Sequence, residues 1–153
     1  MAQRWVSFVL VLVGTLTWIP SIQAAVLTSE IQDALHSSKY VYIASTRKDG
    51  SWGKPAEIWF MYHQGAMWVA SPTTTWRVKR IQAGRDKAKI WVEKPGGPAF
   101  IAKGSIVKDP EVQKVLFKTY AKKYPADWSS YEKVFREELQ SGARVLIKYE
   151  PVE

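Results

Sequence analysis

Residues 40–71 read YVYIASTRKDGSWGKPAEIWFMYHQGAMWVAS, and the punctuation of this stretch decides the fold class. Tyr40 to Thr46 is aromatic and β-branched, Arg47, Lys48, Asp49 and Gly50 form a glycine-containing turn, and a second run extends from Lys54 to His63. That is the plan of a β-hairpin. Gln64 and Gly65 turn the chain once more into Ala66 to Ser71, so the stretch predicts a meander of three strands. Ile58, Trp59, Phe60, Met61 and Tyr62 are apolar without alternation, which predicts a strand covered on both faces. The core accounts for one cover, and a second subunit is the simplest expectation for the other.

Working outward, Ser29 followed by Gln32 reads as a capping box, and Ile31, Ala34 and Leu35 make a short apolar stripe, so a small helix is expected over Thr28 to Ser37. After the meander, Pro72 to Thr75 is a threonine loop that precedes a helix from Trp76 to Ala83, stopped near Gly84. Ala88 to Glu93 and Ala99 to Val107 read as strands either side of Pro95, Gly96, Gly97 and Pro98. Asp109, Pro110 and Glu111 supply an N-cap, a first-turn proline and an acid matched to the helix dipole. They open a helix with Val112, Val115, Leu116 and Tyr120 on one face, which ends before Pro125. Ser129 with Glu132 reads as the start of another, with Tyr131, Val134, Phe135 and Leu139 inward and Gly142 at its end. Ala143 to Glu150 closes the pattern as a strand, with Val145, Ile147 and Tyr149 on one face and Arg144 and Lys148 on the other. Six strands with short helices between them predict a mainly β (α+β) domain, a barrel or sandwich whose ends the helices plug.

The 153 residues are 46% hydrophobic and 24% charged, the make-up of one globular domain. Met1 to Ala25 has one positive charge at Arg4, an apolar run from Val6 to Leu16, Pro20, and a small-residue end at Ala24 and Ala25. This is the plan of a cleaved secretory signal peptide, too short and too interrupted by Gly14, Thr15 and Thr17 for a stable membrane anchor. The expectation is a periplasmic or secreted domain of residues 26–153. Lys and Arg number 22 against 14 Asp and Glu, and removing Arg4 leaves a formal charge of +7 on the mature chain. The absence of cysteine excludes a disulfide scaffold, a thiolate metal site and a cysteine nucleophile, and two histidines are too few for a histidine-rich metal site, so no metal is expected.

No catalytic triad, paired-carboxylate motif, P-loop or Gly-rich dinucleotide fingerprint is present. The strongest local signal is Ser71, Pro72, Thr73, Thr74, Thr75, Trp76, Arg77, Val78, Lys79 and Arg80. Hydroxyls, helix-start N–H groups and several cations within ten residues are the parts of a phosphate cradle. Geometry adds a condition. Residues two apart lie on nearly opposite sides of a helix, so Arg77 and Lys79 converge on one phosphate only if Arg77 still belongs to the loop. Otherwise the stretch is a solvated basic helix with a capping threonine.

Tyr40 to Glu150 resembles the pyridoxamine 5'-phosphate oxidase-like family of flavin-binding split barrels. The resemblance is carried by Ala44 to Gly50, Pro55 to Phe60, Met67 to Ser71, Trp76 to Ile81 and Arg144 to Pro151, in that order and spacing. It implies a six-stranded split β-barrel and a homodimer holding flavin mononucleotide, or in some branches a deazaflavin coenzyme, at the subunit interface. It further implies that Glu57, Ile58 and Trp59, within the strand from Pro55 to Phe60, line the flavin ring, that Ala70 and Ser71 lie near the ribityl chain, and that Thr75, Arg77 and Lys79 hold the phosphate. The activity implied is that of a flavin-dependent oxidoreductase acting on a small molecule. The C-terminal Trp and Arg element of true pyridoxamine phosphate oxidases has no counterpart after Lys148, so the resemblance does not carry that particular reaction.

Two other readings stand beside it. An exported split barrel without cofactor, or one holding haem through His36 or His63, uses the same fold, although each histidine stands alone near an element end. Six Trp remain after residue 25, and rings beside cations also occur in single-stranded nucleic-acid binders. Here the basic residues do not gather on one strand face, and no nucleic-acid partner is expected.

Overall fold

The computed structural model describes residues 26–152; the expected signal peptide, residues 1–25, lies outside the described residues. The elements in chain order are α1 (Ser29–Ser37), β1 (Val41–Ser45), β2 (Ala56–Ile58), β3 (Met61–His63), β4 (Ala66–Pro72), α2 (Trp76–Gln82), β5 (Lys87–Val92), β6 (Ala99–Val107), α3 (Pro110–Lys123), α4 (Pro125–Ser141) and β7 (Arg144–Pro151). The strands form one antiparallel sheet in the order β2-β1-β5-β6-β7-β4-β3.

Chain length alone shows that this sheet curls. Seven strands laid flat would separate the two edges by roughly 29 Å at about 4.8 Å per step. The edges are β2 and β3, and Ile58 and Met61 are three residues apart, a reach of roughly 10 Å. The sheet is therefore a half-barrel. The expected six strands become seven because the run from Lys54 to His63 is interrupted at Trp59 and Phe60, its first part pairing with β1 and its second with β4. The Gln64–Gly65 turn forms as expected, both residues at positive φ (51° and 72°), the conformation that joins two strands through two residues.

At the interruption the backbone has no strand partner, and the end of α3 together with Tyr124, the residue that joins it to α4, provides one. Tyr124 Oη accepts from the Phe60 N–H (3.0 Å) and donates to the Lys39 carbonyl (2.8 Å). Tyr120 Oη donates to the Trp59 carbonyl (2.9 Å), and Lys123 Nζ reaches that of Phe60 (3.4 Å). Backbone groups that a continuous strand would pair are thus satisfied by side chains, as buried polar groups must be.

Two apolar clusters divide along the alternation of β4. Met67 and Val69 face the barrel interior with Val41, Ile43, Phe60, Val78, Ile90, Phe100 and Ile147. Ala66, Trp68 and Ala70 face outward, where Val112, Leu116, Tyr120, Tyr124, Trp128 and Phe135 of the α3–α4 pair cover them. The apolar run at 58–62 is explained the same way, since Phe60 belongs to the interior cluster while Met61 belongs to the outer one and Trp59 packs against it. Its second cover comes from this chain's own helices, and that strand supplies no evidence for a second subunit.

Helix ends follow the cap chemistry with two shifts. Asp109 caps α3 as expected, accepting from the N–H groups of Glu111 and Val112. Thr28 rather than Ser29 is the N-cap of α1. α4 starts at Pro125 rather than at Ser129, because proline at the first helical position lacks only an N–H that would have no partner anyway. Phe135 is buried as expected and Trp128 with it, whereas Tyr131 and Val134, expected inward, are exposed.

Candidate functional site

A cleft of about 700 Å³ opens where β2, the end of β4 and the start of α2 meet, with Phe135 of α4 and Arg144 of β7 on its far wall. Seven of the eight expected site residues line it: Glu57, Ile58, Trp59, Ala70, Ser71, Thr75 and Arg77. Lys79 does not. Arg77 lies within α2, so the residue two positions on points away, and Lys79 is exposed with its ammonium 5.3 Å from the Trp76 ring centre. Arg80, three positions from Arg77, takes the expected place on the cleft wall. Its Nη1 donates to both the backbone carbonyl and the hydroxyl of Ser45 at 3.0 Å, and it passes so close to Gly53 that a Cβ there would lie 2.6 Å from it. The i, i+3 spacing was the signal that could have named Arg80 from the sequence; Arg144 and Phe135, brought in from distant elements, had none.

Arg77 is the most informative of these side chains. It is 9% exposed, and its guanidinium donates to the Ser71 hydroxyl (3.0 Å) while Nε has no partner. No carboxylate pairs with it among the described residues. Burial pushes its pKa down from the ordinary arginine value, an effect that Tyr149 and Tyr120 partly offset. A guanidinium stays protonated in proteins, so the bottom of the cleft holds a charge without a counter-charge. Arg144 shows the alternative arrangement: also half-withdrawn from solvent, it pairs with Glu138 (2.8 Å), donates to the Ala70 carbonyl (3.1 Å) and stacks over Phe135 (3.8 Å).

Thr75 occupies the N-cap position of α2, but its hydroxyl donates to the Pro72 carbonyl (2.8 Å) instead of capping the helix. On the opposite wall Glu57, the one acid lining the cleft, accepts from the Tyr42 hydroxyl. Trp59 supplies an aromatic surface whose other face is stacked on Tyr124 at 4.3 Å and 7°. A mostly apolar cleft of this size with a few convergent cations suits a ring-bearing anionic ligand. Arg47 and Lys54, both exposed, add positive charge at the rim. His36 and His63 lie elsewhere: His36 is in the last turn of α1, edge-on to Tyr62 at 5.2 Å, and His63 ends β3. Among the described residues no group of His, Cys, Asp and Glu could hold a metal ion, and no helix is long and apolar enough to cross a membrane.

With fold and cleft in place, comparison with solved structures finds the same fold at low sequence identity. A Clostridium acetobutylicum protein related to general stress protein 26, of the pyridoxinephosphate oxidase family, matches with a TM-score of 0.54 at 16% identity, over 80% of this chain and 81% of its own. The chain has the split-barrel fold of the pyridoxamine 5'-phosphate oxidase-like proteins. The haem storage protein HutZ of Vibrio cholerae matches with a TM-score of 0.57 at 15% identity, covering 81% of this chain and 89% of that one. An F420 reductase matches with a TM-score of 0.51 at 18% identity, over 80% and 93%. No protein-family model matches the chain, and no curated protein matches it. Split barrels of this shape thus include proteins named for F420 and for haem.

Proposed function

We propose that the cleft binds flavin mononucleotide and that the protein is a flavin-dependent oxidoreductase acting on a small molecule. The observation that carries this reading is Arg77, a buried guanidinium with a free Nε and no carboxylate, at the bottom of a cleft with an aromatic wall. A phosphate there would accept from Arg77 and Ser71, with Arg80 beside them, in charge-assisted hydrogen bonds. Lys79 has no part in it. The ring would lie toward Glu57, Ile58 and Trp59, on the opposite wall. Bound flavin supplies the electron-carrying chemistry, and the protein's contribution is position, hydrogen bonds near the ring and exclusion of water. The cleft is open along the exposed residues Arg47, Lys54 and Glu57, which fits closure by a second copy, as the resemblance implies for a homodimer. Light scattering giving a monomer at micromolar concentration would argue against that part.

Fluorescence titration tests the ligand. Arg77→Ala removes a charge-assisted contact of about 1.5–3 kcal/mol, so flavin mononucleotide should bind roughly tenfold to a hundredfold more weakly. Riboflavin, lacking the phosphate, should bind the parent weakly and be unaffected by the change. Lys79→Ala should leave both affinities within about twofold, because its ammonium lies outside the cleft. Equal affinities for the two flavins in the parent would remove the phosphate site. The visible spectrum of protein purified from its own compartment separates a flavin band from the haem band that the likeness to HutZ brings into question. Export is part of the same proposal, and mass spectrometry of the mature protein should find a start near Ala25 or Val26.

A further inference from the structure

A second cleft, of about 570 Å³, lies between the C-terminal turn of α1, Tyr62 of β3 and the last turns of α3, and it shares no residue with the Arg77 cleft. Lys39, Lys122 and Lys123 line it, His36 stands beside them, and no Asp or Glu does. Four other lysines pair with acids, Lys103 with Asp86, Lys114 with Glu111, Lys133 with Glu137 and Lys148 with Glu150, whereas exposed ones such as Lys54 and Lys79 do not among the described residues, so it is the gathering of three in one cleft that sets this place apart. None of the three cleft lysines has such a partner among the described residues. Lys39 sits 5.4 Å from the Tyr40 ring centre, and Lys123 lies 3.2 Å from that of Phe60. Two helix C-termini carry partial negative charge, roughly half an elementary charge each, which offsets only about one of the three lysines.

The second observation is independent of charge. Ser38, the C-cap of α1 and one of the residues that line this cleft, is 4% exposed, and its buried hydroxyl has no hydrogen-bond partner. A buried hydroxyl is normally satisfied, so one left free beside three ammonium groups that no acid pairs, one of them already reaching the Phe60 carbonyl, marks a place for an acceptor. We propose that this cleft is a binding site for a small oxyanion, a carboxylate or phosphate, held by Lys39, Lys122 and Lys123 around the Ser38 hydroxyl. Burial pushes the Lys123 ammonium down to about 8, and an anion beside it would restore its charge. The two rings that line it, His36 and Tyr62, are packed edge-on against each other at 5.2 Å.

Calorimetric titration of the full-length protein at low salt, with inorganic phosphate and citrate as probes, tests the site. Phosphate is also expected in the Arg77 cleft, so the titrations are run in the parent and on an Arg77→Ala background. The expected result is one saturable site for at least one probe that survives Arg77→Ala and weakens about tenfold with Lys122→Ala, an exposed position where the fold is not at risk. Ser38→Ala should raise the Tm of the free protein, since a hydroxyl without partner is removed, and should weaken the anion severalfold. No saturation by either probe, an unchanged Kd in Lys122→Ala, or loss of all anion binding in Arg77→Ala would overturn the proposal. The last outcome would assign the anion to the Arg77 cleft. A lower Tm for free Ser38→Ala would show that the hydroxyl is already satisfied and would also overturn it. None of these outcomes depends on flavin binding.

Discussion

The two halves of the sheet share one interior and differ in what lies outside it. On the β3-β4-β7 side, α3 and α4 lay an aromatic layer over the strands: Trp59 stacks on Tyr124 and meets Tyr120 edge-on at 5.7 Å, and Trp128 packs against Phe117, Tyr120 and Phe135. On the β1-β5-β6 side, Tyr42 stands opposite Trp91, and Lys89 leans on the Trp91 ring at 5.0 Å. These residues are half-buried and belong to neither core cluster. Both halves are rich in aromatic residues, so composition does not tell them apart. Sequence pattern separates them only in part: the covered half holds the unbroken apolar run at 58–62 and the other half's β5 and β6 alternate in burial, but Val41 to Ala44 of β1 is unbroken as well. An unbroken run measures how many faces are covered and is silent about which chain provides the cover.

Trp59→Ala should break the covered half with the largest effect. The side chain touches Tyr120, Tyr124, Tyr131 and Phe135, and its removal leaves a void that those rings cannot all fill. A loss of about 3–5 kcal/mol is expected in urea unfolding. Trp91→Ala is the matching change on the other half, and it should cost the isolated subunit under about 1 kcal/mol. Losses of equal size would end the distinction between the halves.

Tyr124→Phe comes next. It keeps the ring stack on Trp59 and deletes one hydroxyl, leaving the Phe60 N–H and the Lys39 carbonyl without their partner at the gap between β2 and β3. About 1–3 kcal/mol should be lost, and amide exchange at Phe60 should accelerate more than at Met67 in the intact ladder. A change below about 0.5 kcal/mol, with unaltered exchange at Phe60, would mean that the gap needs no such patch.

That gap also marks how far the sequence could be read. Strand β6 was legible to the residue, and β1, β4, β5 and β7 to within one, because turn glycines, prolines and alternation all agree there. The split at Trp59 and Phe60 was not, since an apolar run carries no mark of a change of partner, and the residues that make the split tolerable lie some sixty positions away. The start of α4 was misplaced because Ser129 imitates a cap while Pro125 already supplies a first turn. In the cleft, neighbours in sequence were legible and one was wrong: helix geometry ruled out Lys79 beside Arg77 and favoured Arg80. Seven of the eight residues named through the resemblance line the cleft, whereas Arg144 and Phe135 depend on tertiary placement alone.

The smallest expected effect is a pH dependence that lies mainly in the covered half, although the Tyr42 hydroxyl of β1 is also held above its ordinary pKa by its hydrogen bond to Glu57. Lys123, at the end of α3, has its pKa lowered to about 8 by burial, against about 10.5 in an unfolded chain. Between those values the unfolded state binds the extra proton, so stability rises with pH across the window, and the penalty of burying the charge is complete only below about 8. The side chain is partly open to solvent, so the rise is modest. The tyrosines work in the opposite sense. Burial raises the pKa of Tyr120, Tyr124 and Tyr149, the last to about 12, so above about 10 the unfolded state loses protons that the folded state keeps, and stability falls. A shallow maximum near pH 10 is therefore expected in urea midpoints measured from pH 7 to 11. Lys123→Met should flatten the rising limb and leave the falling limb unchanged, while Trp91→Ala should alter neither. A rising limb that persists in Lys123→Met would place the proton on another group and detach this titration from the patch between β2 and β3.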